Sequence, residues 1–264
     1  MVNQIFPLAG DPPKEIPLKN APLARVLCQV QFNDVLSISD ERFIAAFQEE
    51  IRQIYPVLRK EEVEVVSLAG SRPEVKKETL WRFYDENTIW RVSLTHDFVS
   101  IETLNYSSRN DFVDRIGKVV NSAQKTIGID PIKRIGVRYI DRILTVEPRR
   151  LQKILNQHVV GILASEFSEN IDRSMTEFFA KVSNGELIAR WGFVPANSVY
   201  EQLLSPLDKK SWVLDIDVYT TPELYNGKIH SQDAVTVSRE LAERAYAFFR
   251  WAVTDDFLNE YREG

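Results

Sequence analysis

The sequence predicts an α+β protein with two similar halves, each in the order strand, helix, antiparallel strands, helix. The halves span residues 21–130 and 131–264, and residues 1–20 form an extended arm before them. Two observations support this prediction. Hydrophobic residues alternate with a period of two in some segments and with helical spacing in others. The same order of segments then occurs twice, which is typical of antiparallel sheets covered on one face by helices.

The arm and the first strand differ sharply in composition. Residues 1–20 contain four prolines, and proline lacks the amide hydrogen that a helix requires, so this segment is predicted to be extended. Residues 22–33 alternate in polarity and predict a strand. Cys28, the only cysteine of the chain, lies on the apolar face of that strand. We therefore expect a buried structural thiol rather than a nucleophile, which needs an exposed, electropositive setting.

In the first half, one helix is predicted before the antiparallel strands in sequence and another after them. Ser39 is the expected N-cap of the first helix, because its hydroxyl can accept from a free backbone amide. Trp81 and Trp90 share one face of the predicted strands. We expect a helix to cover this face, and the alternative is an aromatic platform for nucleotide bases. The predicted helices are 39–55 and 110–127, and the predicted strands are 62–68, 79–84, 88–94 and 98–104.

Residues 133–146 have the clearest strand pattern of the chain and lie at its midpoint. Successive side chains of a strand point to opposite faces of the sheet. One face is apolar except for Asp141 and is expected to pack against a core. The other face carries three arginines around Gly136, which leaves room for a neighbouring group to approach. The apolar residues are Ile135, Val137, Tyr139 and Ile143, and the arginines are Arg134, Arg138 and Arg142.

The rest of the second half contains a helix, a hairpin, a strand and two further helices. The dipeptide Asn184-Gly185 is the strongest hairpin signal in the chain, because both residues tolerate the backbone angles of a tight turn. A break near Asn156 is expected in the first of these helices. The predicted elements are a helix at 148–167, hairpin strands at 175–183 and 186–194, a strand at 212–218, and helices at 234–252 and 255–261.

Four stretches resemble a sporadically distributed family of bacterial proteins of similar length that has no assigned function. They are residues 20–23 (NAPL), 81–83 (WRF), 134–141 (RIGVRYID) and 248–254 (FFRWAVT). The third stretch is the specific one, although family members typically have Asn where this chain has Asp141. The resemblance implies a bacterial cytosolic accessory protein, encoded by mobile genes such as defence or toxin–antitoxin loci. It implies no catalytic residues.

Acidic residues on the last predicted strand are the natural partners of the three arginines. Asp215 and Asp217 share one face of that strand, and opposite charges on neighbouring strands attract each other. We expect a ladder of ion pairs. Two alternatives stay open: the arginines bind a phosphate or a partner carboxylate, or the two aspartates hold a metal ion. The candidate binding residues are therefore Arg134, Arg138, Arg142, Asp215 and Asp217.

Several function classes lack their sequence motifs. Neither GxxxxGK[ST] nor GxGxxG occurs, which excludes nucleotide binding by those loops. The three histidines are far apart in sequence, which disfavours structural zinc. No GxSxG or HExxH motif is found. We therefore expect no metal, no cofactor and no assigned catalytic residue. No signal-peptide pattern and no long apolar run is found, so the expected location is cytoplasmic, without membrane contact.

These observations favour a non-catalytic binding or adaptor protein that acts as an accessory component of a multi-protein system. Its expected partner is another protein. The first alternative is an RNA- or nucleotide-binding module that uses the arginine face, although the net charge of −5 is weak evidence against a general nucleic-acid binder. The second alternative is a metal-dependent hydrolase centred on Asp215 and Asp217.

Overall fold

A computed structural model describes residues 6–67, 74–144, 146–200, 204–221 and 229–263. The strands are β1 Leu23–Phe32, β2 Val57–Ser67, β3 Glu74–Tyr84, β4 Trp90–Leu94, β5 Phe98–Thr103, β6 Ile132–Ile143, β7 Ser174–Val182, β8 Gly185–Val194 and β9 Ser211–Tyr219. The helices are α1 Glu41–Ile51, α2 Arg109–Thr126, α3 Pro148–Ile154, α4 Gln157–Val160, α5 Ala234–Ala252 and α6 Asp255–Glu263.

The nine strands form one sheet, which confirms the predicted α+β class. Hydrogen-bonded neighbours follow the order β2-β3-β4-β5-β1-β6-β9-β8-β7, so β2 and β7 are the edge strands of the sheet that the described residues form. The pairs β2·β3, β3·β4, β4·β5, β7·β8 and β8·β9 are antiparallel, and the first four of them are joined by short connections. Among the helices that the structure describes, none is both long and apolar enough to span a membrane.

The backbone contacts divide the chain into two compact units. Unit 1 comprises Met1–Val26, Val137–Thr220 and Glu240–Gly264, and unit 2 comprises Leu27–Gly136 and Thr221–Arg239. Strands β1 and β6 therefore contribute residues to both units. The candidate residues Arg138, Arg142, Asp215 and Asp217 belong to unit 1, and Arg134 belongs to unit 2.

The core of unit 2 confirms that the tryptophan face is covered by helices. Trp81 is buried, and its indole N–H donates to the carbonyl of Ile38 at 2.7 Å. Phe83 packs edge-on against Phe47 of α1, and Trp90 packs against a phenylalanine of α2. Burial of large aromatic rings is a major source of stability. The aromatic face of β3 and β4 is therefore structural.

The start of α1 differs from the prediction by one residue. Leu36–Ser39 form a short 3₁₀ turn, so the chain enters the helix later than the sequence pattern indicated. Asp40 is the N-cap in place of Ser39, and its carboxylate accepts from the amide of Arg42 at 2.8 Å. A carboxylate at this position also interacts favourably with the helix dipole. Cys28 of β1 is buried, as predicted.

The core of unit 1 lies on one face of β6, β9, β8 and β7. The ring of Phe248 on α5 packs against Phe178 and Trp191 of the hairpin strands, with centroid distances of 5.9 and 6.3 Å. Val137 of β6 is fully buried and Tyr139 is partly buried. The predicted break near Asn156 is confirmed, because that residue separates α3 from α4 and caps α4.

The opposite sheet face of unit 1 carries a second, smaller apolar cluster. It is partly covered by the irregular segment between β8 and β9. Its members come from β6, β8, β9 and that segment, and they are Ile140, Val194, Tyr200, Leu204 and Val213. Because this is the face of the arginines, the charged side chains there are held beside an apolar cluster rather than in open solvent.

The β7–β8 hairpin is present, but its loop is one residue earlier than predicted. Ser183 and Asn184 form the turn, and Gly185 is already paired in β8. Gly185 has φ +157°, and a Cβ there would lie 1.9 Å from the carbonyl oxygen of Tyr219. Gly192 is similarly confined, because its Cβ would lie 1.8 Å from the carbonyl oxygen of Ser174. Both glycines permit the close approach of a neighbouring backbone.

Arg244 of α5 fixes the N-terminal segment to unit 1. Its side chain is buried and donates to the carbonyl oxygens of Pro7 and Gly10 at 2.7 and 2.8 Å, and to the hydroxyl of Ser183 at 3.1 Å. Residues 11–18 contain neither helix nor strand, as their prolines predict. The segment is held at further points as well, because the amide of Ile16 donates to the hydroxyl of Tyr246 at 2.8 Å and the carbonyl of Leu8 accepts from the amide of Ser183 at 3.2 Å.

Replacing Trp81 by Ala should lower the free energy of unfolding by about 3–5 kcal/mol, as for other large buried aromatic side chains. The loss combines a cavity beneath α1 with an unpaired carbonyl at Ile38. Urea denaturation of the purified chain measures the effect. Leu36→Ala is the control, because this side chain is exposed and its truncation should change stability by less than about 0.5 kcal/mol. Equal stability of both variants would contradict a core role.

Candidate functional site

Arg138 and Asp215 form a bidentate ion pair between β6 and β9. The arginine Nε donates to Oδ1 at 2.7 Å, and Nη2 donates to Oδ2 at 2.5 Å. The hydroxyl of Tyr200 also donates to Oδ2, at 2.7 Å. The aspartate side chain is 1% exposed and the arginine side chain 14%. The predicted ion pairing is thus confirmed for these two residues, in a setting that excludes most solvent.

The ion pair belongs to a longer row of alternating charges across unit 1. In the strand register, Glu177 of β7 lies opposite Arg190 of β8, which lies opposite Asp215 of β9. Arg190 Nε donates to Glu177 Oε2 at 2.5 Å. Glu177, Arg190, Asp215 and Arg138 therefore alternate in sign, and we refer to these four residues as the charge row. Opposite charges at neighbouring cross-strand positions stabilise a sheet.

The charge row is buried at one end and open at the other. The side chain of Arg190 is 29% exposed and that of Glu177 is 60% exposed, in contrast to the buried Asp215. Electrostatic interactions are stronger where water is excluded. The buried end therefore holds the strands together, whereas the carboxylate at the edge strand β7 is accessible to a further charged group.

Arg142 has neutral partners in place of the predicted carboxylate. Its Nε donates to the hydroxyl of Ser211 at 2.9 Å, and its Nη1 donates to the carbonyl of Ser205 at 2.7 Å. Its Nη2 is buried and has no hydrogen-bond partner among the described residues. Burial lowers the pKa of this guanidinium from its usual value. Arg142 thus joins β6 to β9 and to the irregular segment that precedes β9.

The other two candidate residues are not part of the charge row. Asp217 of β9 lies opposite Ile188 of β8 and is partly buried. Arg134 lies in the part of β6 that belongs to unit 2 and is also partly buried. Their assignment as ligand-binding residues stays a prediction, as it does for the other three candidates.

Sequence reasoning missed three residues of this site, Glu177, Arg190 and Tyr200. The hairpin signal places the first two side chains on the same sheet face, but the predicted loop at residues 184–185 would set Glu177 opposite Gly192, whereas the observed register sets it opposite Arg190. Tyr200 had no such signal, since it lies in an irregular connection where no periodicity identifies its neighbours.

Asp141 of β6 is a buried carboxyl group on the sheet face opposite to the arginines. Burial raises the pKa of Asp141 to about 7, and the negative charge of Asp215 contributes in the same direction. The group therefore changes from neutral to charged near neutral pH. Because the two aspartates are both buried in unit 1, ionisation of Asp141 adds a repulsive charge to the region that holds the ion pair.

A serine, a histidine and an aspartate also come together at the start of α5. The backbone N–H and hydroxyl of Ser231 donate to the two carboxylate oxygens of Asp130 at 2.7 and 3.0 Å. His230 Nδ1 lies 3.8 Å from Asp130 Oδ2. A catalytic triad requires the serine hydroxyl to donate to the histidine. Here it donates to the aspartate, so the cluster fixes the backbone before α5.

A small cavity of about 70 Å³ lies between α4 and the hairpin strands of unit 1. Its walls include Trp191, Phe193 and Trp212. The indole N–H of Trp212 is buried and has no hydrogen-bond partner within the described residues. Among those same residues, no group of three or more His, Cys, Asp or Glu side chains is arranged to hold a metal ion.

No protein-family model and no curated protein sequence matches the chain. The site is therefore interpreted from its geometry. The guanidinium of Arg138 and the carboxylate of Asp215 direct their hydrogen bonds to each other, which leaves Glu177 as the accessible end of the charge row. The arrangement can stabilise a sheet and can offer one carboxylate at its edge.

Arg138→Ala should destabilise the fold by about 3–5 kcal/mol, because it leaves the carboxylate of Asp215 buried without its counter-charge. Adding Asp215→Asn should recover part of this loss, since the amide carries no charge. Urea denaturation of the two single variants and the double variant gives the coupling energy. Lys209→Ala, at an exposed position, is the matched control. In thermal denaturation, a melting midpoint of Arg138→Ala within a degree of the parent would contradict the structural role.

The difference in free energy of unfolding between Asp141→Asn and the parent should favour the variant more at pH 8 than at pH 5. The folded-state pKa of about 7 lies above the usual value of 3.8, so the parent loses stability as the pH rises through this interval. Each pKa unit of difference corresponds to about 1.4 kcal/mol. Urea denaturation at both pH values measures the difference. Asp208→Asn, the same substitution at an exposed position, is the control variant. A pH-independent effect of Asp141→Asn would contradict the raised pKa.

Proposed function

We propose that this chain is a non-catalytic binding protein that recruits another protein by strand addition at β7. The observation that carries the proposal is an edge strand with exposed apolar side chains. β7 is the last strand in the sheet order. Phe179 is 56% exposed and Met175 is 37% exposed, and both lie on the same face of this strand.

Strand addition uses groups that an edge strand already presents. The outer side of an edge strand carries backbone N–H and C=O groups that can pair with an extended segment of another chain. Main-chain hydrogen bonds supply affinity in such complexes, and side chains supply specificity. On β7, the apolar ring of Phe179 lies between the charged side chains of Glu177 and Lys181. These three residues supply both contact area and charge for a partner strand.

At Arg138 and Asp215, both alternative functions would have to disrupt the buried ion pair. A phosphate at Arg138 would compete with the carboxylate of Asp215, and a metal ion at Asp215 would compete with the guanidinium. Removing one partner from a buried pair costs about 3–5 kcal/mol. We therefore place the RNA- or nucleotide-binding module and the metal-dependent hydrolase below the binding protein.

We further propose a cytoplasmic, bacterial accessory role, on the basis of the family resemblance of residues 134–141. The lone Cys28 supports a reducing compartment, because it can form no disulfide within the chain. We also propose that the two halves derive from a duplicated unit. The strand order supports this, since β1 neighbours β5 in the first half as β6 neighbours β9 in the second.

Phe179→Lys should abolish capture of the partner protein, because it removes the exposed ring and places a charge at the centre of the contact. Tagged full-length chain and variant are incubated with lysate of the organism that encodes them, and captured proteins are quantified by mass spectrometry. Leu36→Lys is the matched control, since it makes the same change at an exposed apolar residue away from β7. We expect at least about a tenfold loss for the first variant and none for the control.

Equal capture by both variants would contradict a binding role for β7. Bound nucleic acid that is lost in Arg138→Ala, with stability unchanged, would favour the first alternative. Hydrolytic activity that requires Mg²⁺ and disappears in Asp215→Asn would favour the second.

A further inference from the structure

We propose that the partner of β7 is a second copy of this chain, paired antiparallel with Phe179 opposite Phe179. This inference rests on the proposed function and names the partner of the same edge strand. The argument depends on the residues that β7 presents, on the register of the β7–β8 hairpin and on the open end of the charge row.

Charge complementarity selects the second copy and the register. When Phe179 faces its equivalent, Glu177 of each copy lies opposite Lys181 of the other. The pairing then contains two opposite-charge pairs on either side of an aromatic pair. Opposite charges and aromatic rings at directly facing positions both stabilise antiparallel strands. A strand with this sequence is therefore complementary to itself.

Neighbouring registers lose this complementarity. Centring the two-fold axis on Glu177 or on Lys181 places like charges opposite each other. Centring it on Phe178 places Glu177 opposite Phe179, and centring it on Ala180 places Phe179 opposite Lys181. Among these five registers, only the one centred on Phe179 brings opposite charges together.

The same register continues the charge row into the second copy. Within one chain, Lys181 of β7 lies opposite Glu186 of β8. Glu177 at the open end of the row therefore meets Lys181 of the second copy, followed by Glu186 of that copy. The signs alternate along the whole line, which reads Arg138, Asp215, Arg190, Glu177, and then Lys181 and Glu186 of the second copy. The carboxylate of Glu177 is 60% exposed and can accept several hydrogen bonds, so a second cation can approach it beside the bond from Arg190 to Oε2.

The row beside it has an apolar centre, formed by the residues of β7 and β8 of both copies. Phe179 lies opposite Ile188 within the chain. The proposed register therefore places two isoleucines and two phenylalanines side by side, which covers the exposed rings. Among the described residues, the carbonyl of Leu8 in the N-terminal segment accepts from the amide of Ser183, one residue beyond the end of β7, at 3.2 Å. Pairing over residues 176–182 leaves that contact in place.

The test compares single charge reversals with their mixture by sedimentation velocity of the full-length chain. The parent should be a dimer. Glu177→Lys alone places Lys opposite Lys, and Lys181→Glu alone places Glu opposite Glu, so each should raise the dimer dissociation constant by about tenfold or more. An equimolar mixture of the two variants should form a heterodimer with near-parental affinity, because every Lys then faces a Glu. Glu166→Lys and Lys209→Glu, both at exposed positions outside β7, should leave the dimer intact.

Restored association in the mixture supports this register, since no other register pairs these two positions. A parent that sediments as a monomer at high micromolar concentration overturns the inference. A mixture no stronger than the separate variants also overturns it. If the parent is a monomer and Phe179→Lys still loses a captured protein, the dimer is wrong and the proposed function stands. A dimer that is insensitive to Phe179→Lys contradicts the use of β7 altogether.

Discussion

The buried ion pair between Arg138 and Asp215 is the interaction on which unit 1 depends most. It joins β6 to β9 through two parallel hydrogen bonds, and the hydroxyl of Tyr200 adds a third to the same carboxylate. A charged pair in a nearly dry setting is stable only when its geometry is complete. The segment that supplies Tyr200 thereby becomes part of the sheet's energetics, although it has no regular structure itself. Four residues further along β6, Arg142 also joins neighbouring segments, but it donates its hydrogen bonds to neutral oxygens.

Charge on this sheet is graded from interior to edge. The innermost pair is protected from water, the next residue along the row is partly exposed, and the last carboxylate is largely exposed. The same four side chains thus join the strands at one end and present an accessible carboxylate at the other. Asp141 limits this arrangement, because a second buried carboxyl near the pair is tolerated most easily in its neutral form.

Most of the fold could be predicted from local patterns, because hydrophobic periodicity records which face of each element is buried. Residue type and alternation also predicted the pairing of Arg138 with Asp215 on the condition that their strands adjoin, and the strand order places β6 beside β9. Tyr200 was not, because an irregular segment carries no periodic signal. The cap of α1 and the loop of the hairpin were each displaced by one residue. A 3₁₀ turn caused the first difference, and the second arose because Gly185 is required by the neighbouring backbone rather than by the turn.

Gly185 and Gly192 constrain the backbone geometry beside the edge strand β7 without adding side chains to its outer surface. Each lies where a neighbouring carbonyl oxygen leaves no space for a Cβ. A shift of β8 along β9 or β7 would bring a residue with a Cβ into that space and cause a collision. The spacing and direction of β7 are therefore determined by backbone positions that never reach its outer surface. Side chains on that surface can therefore be replaced without altering the backbone geometry that displays them. In the proposed strand addition, two or three substitutions on β7 would suffice to select a different partner.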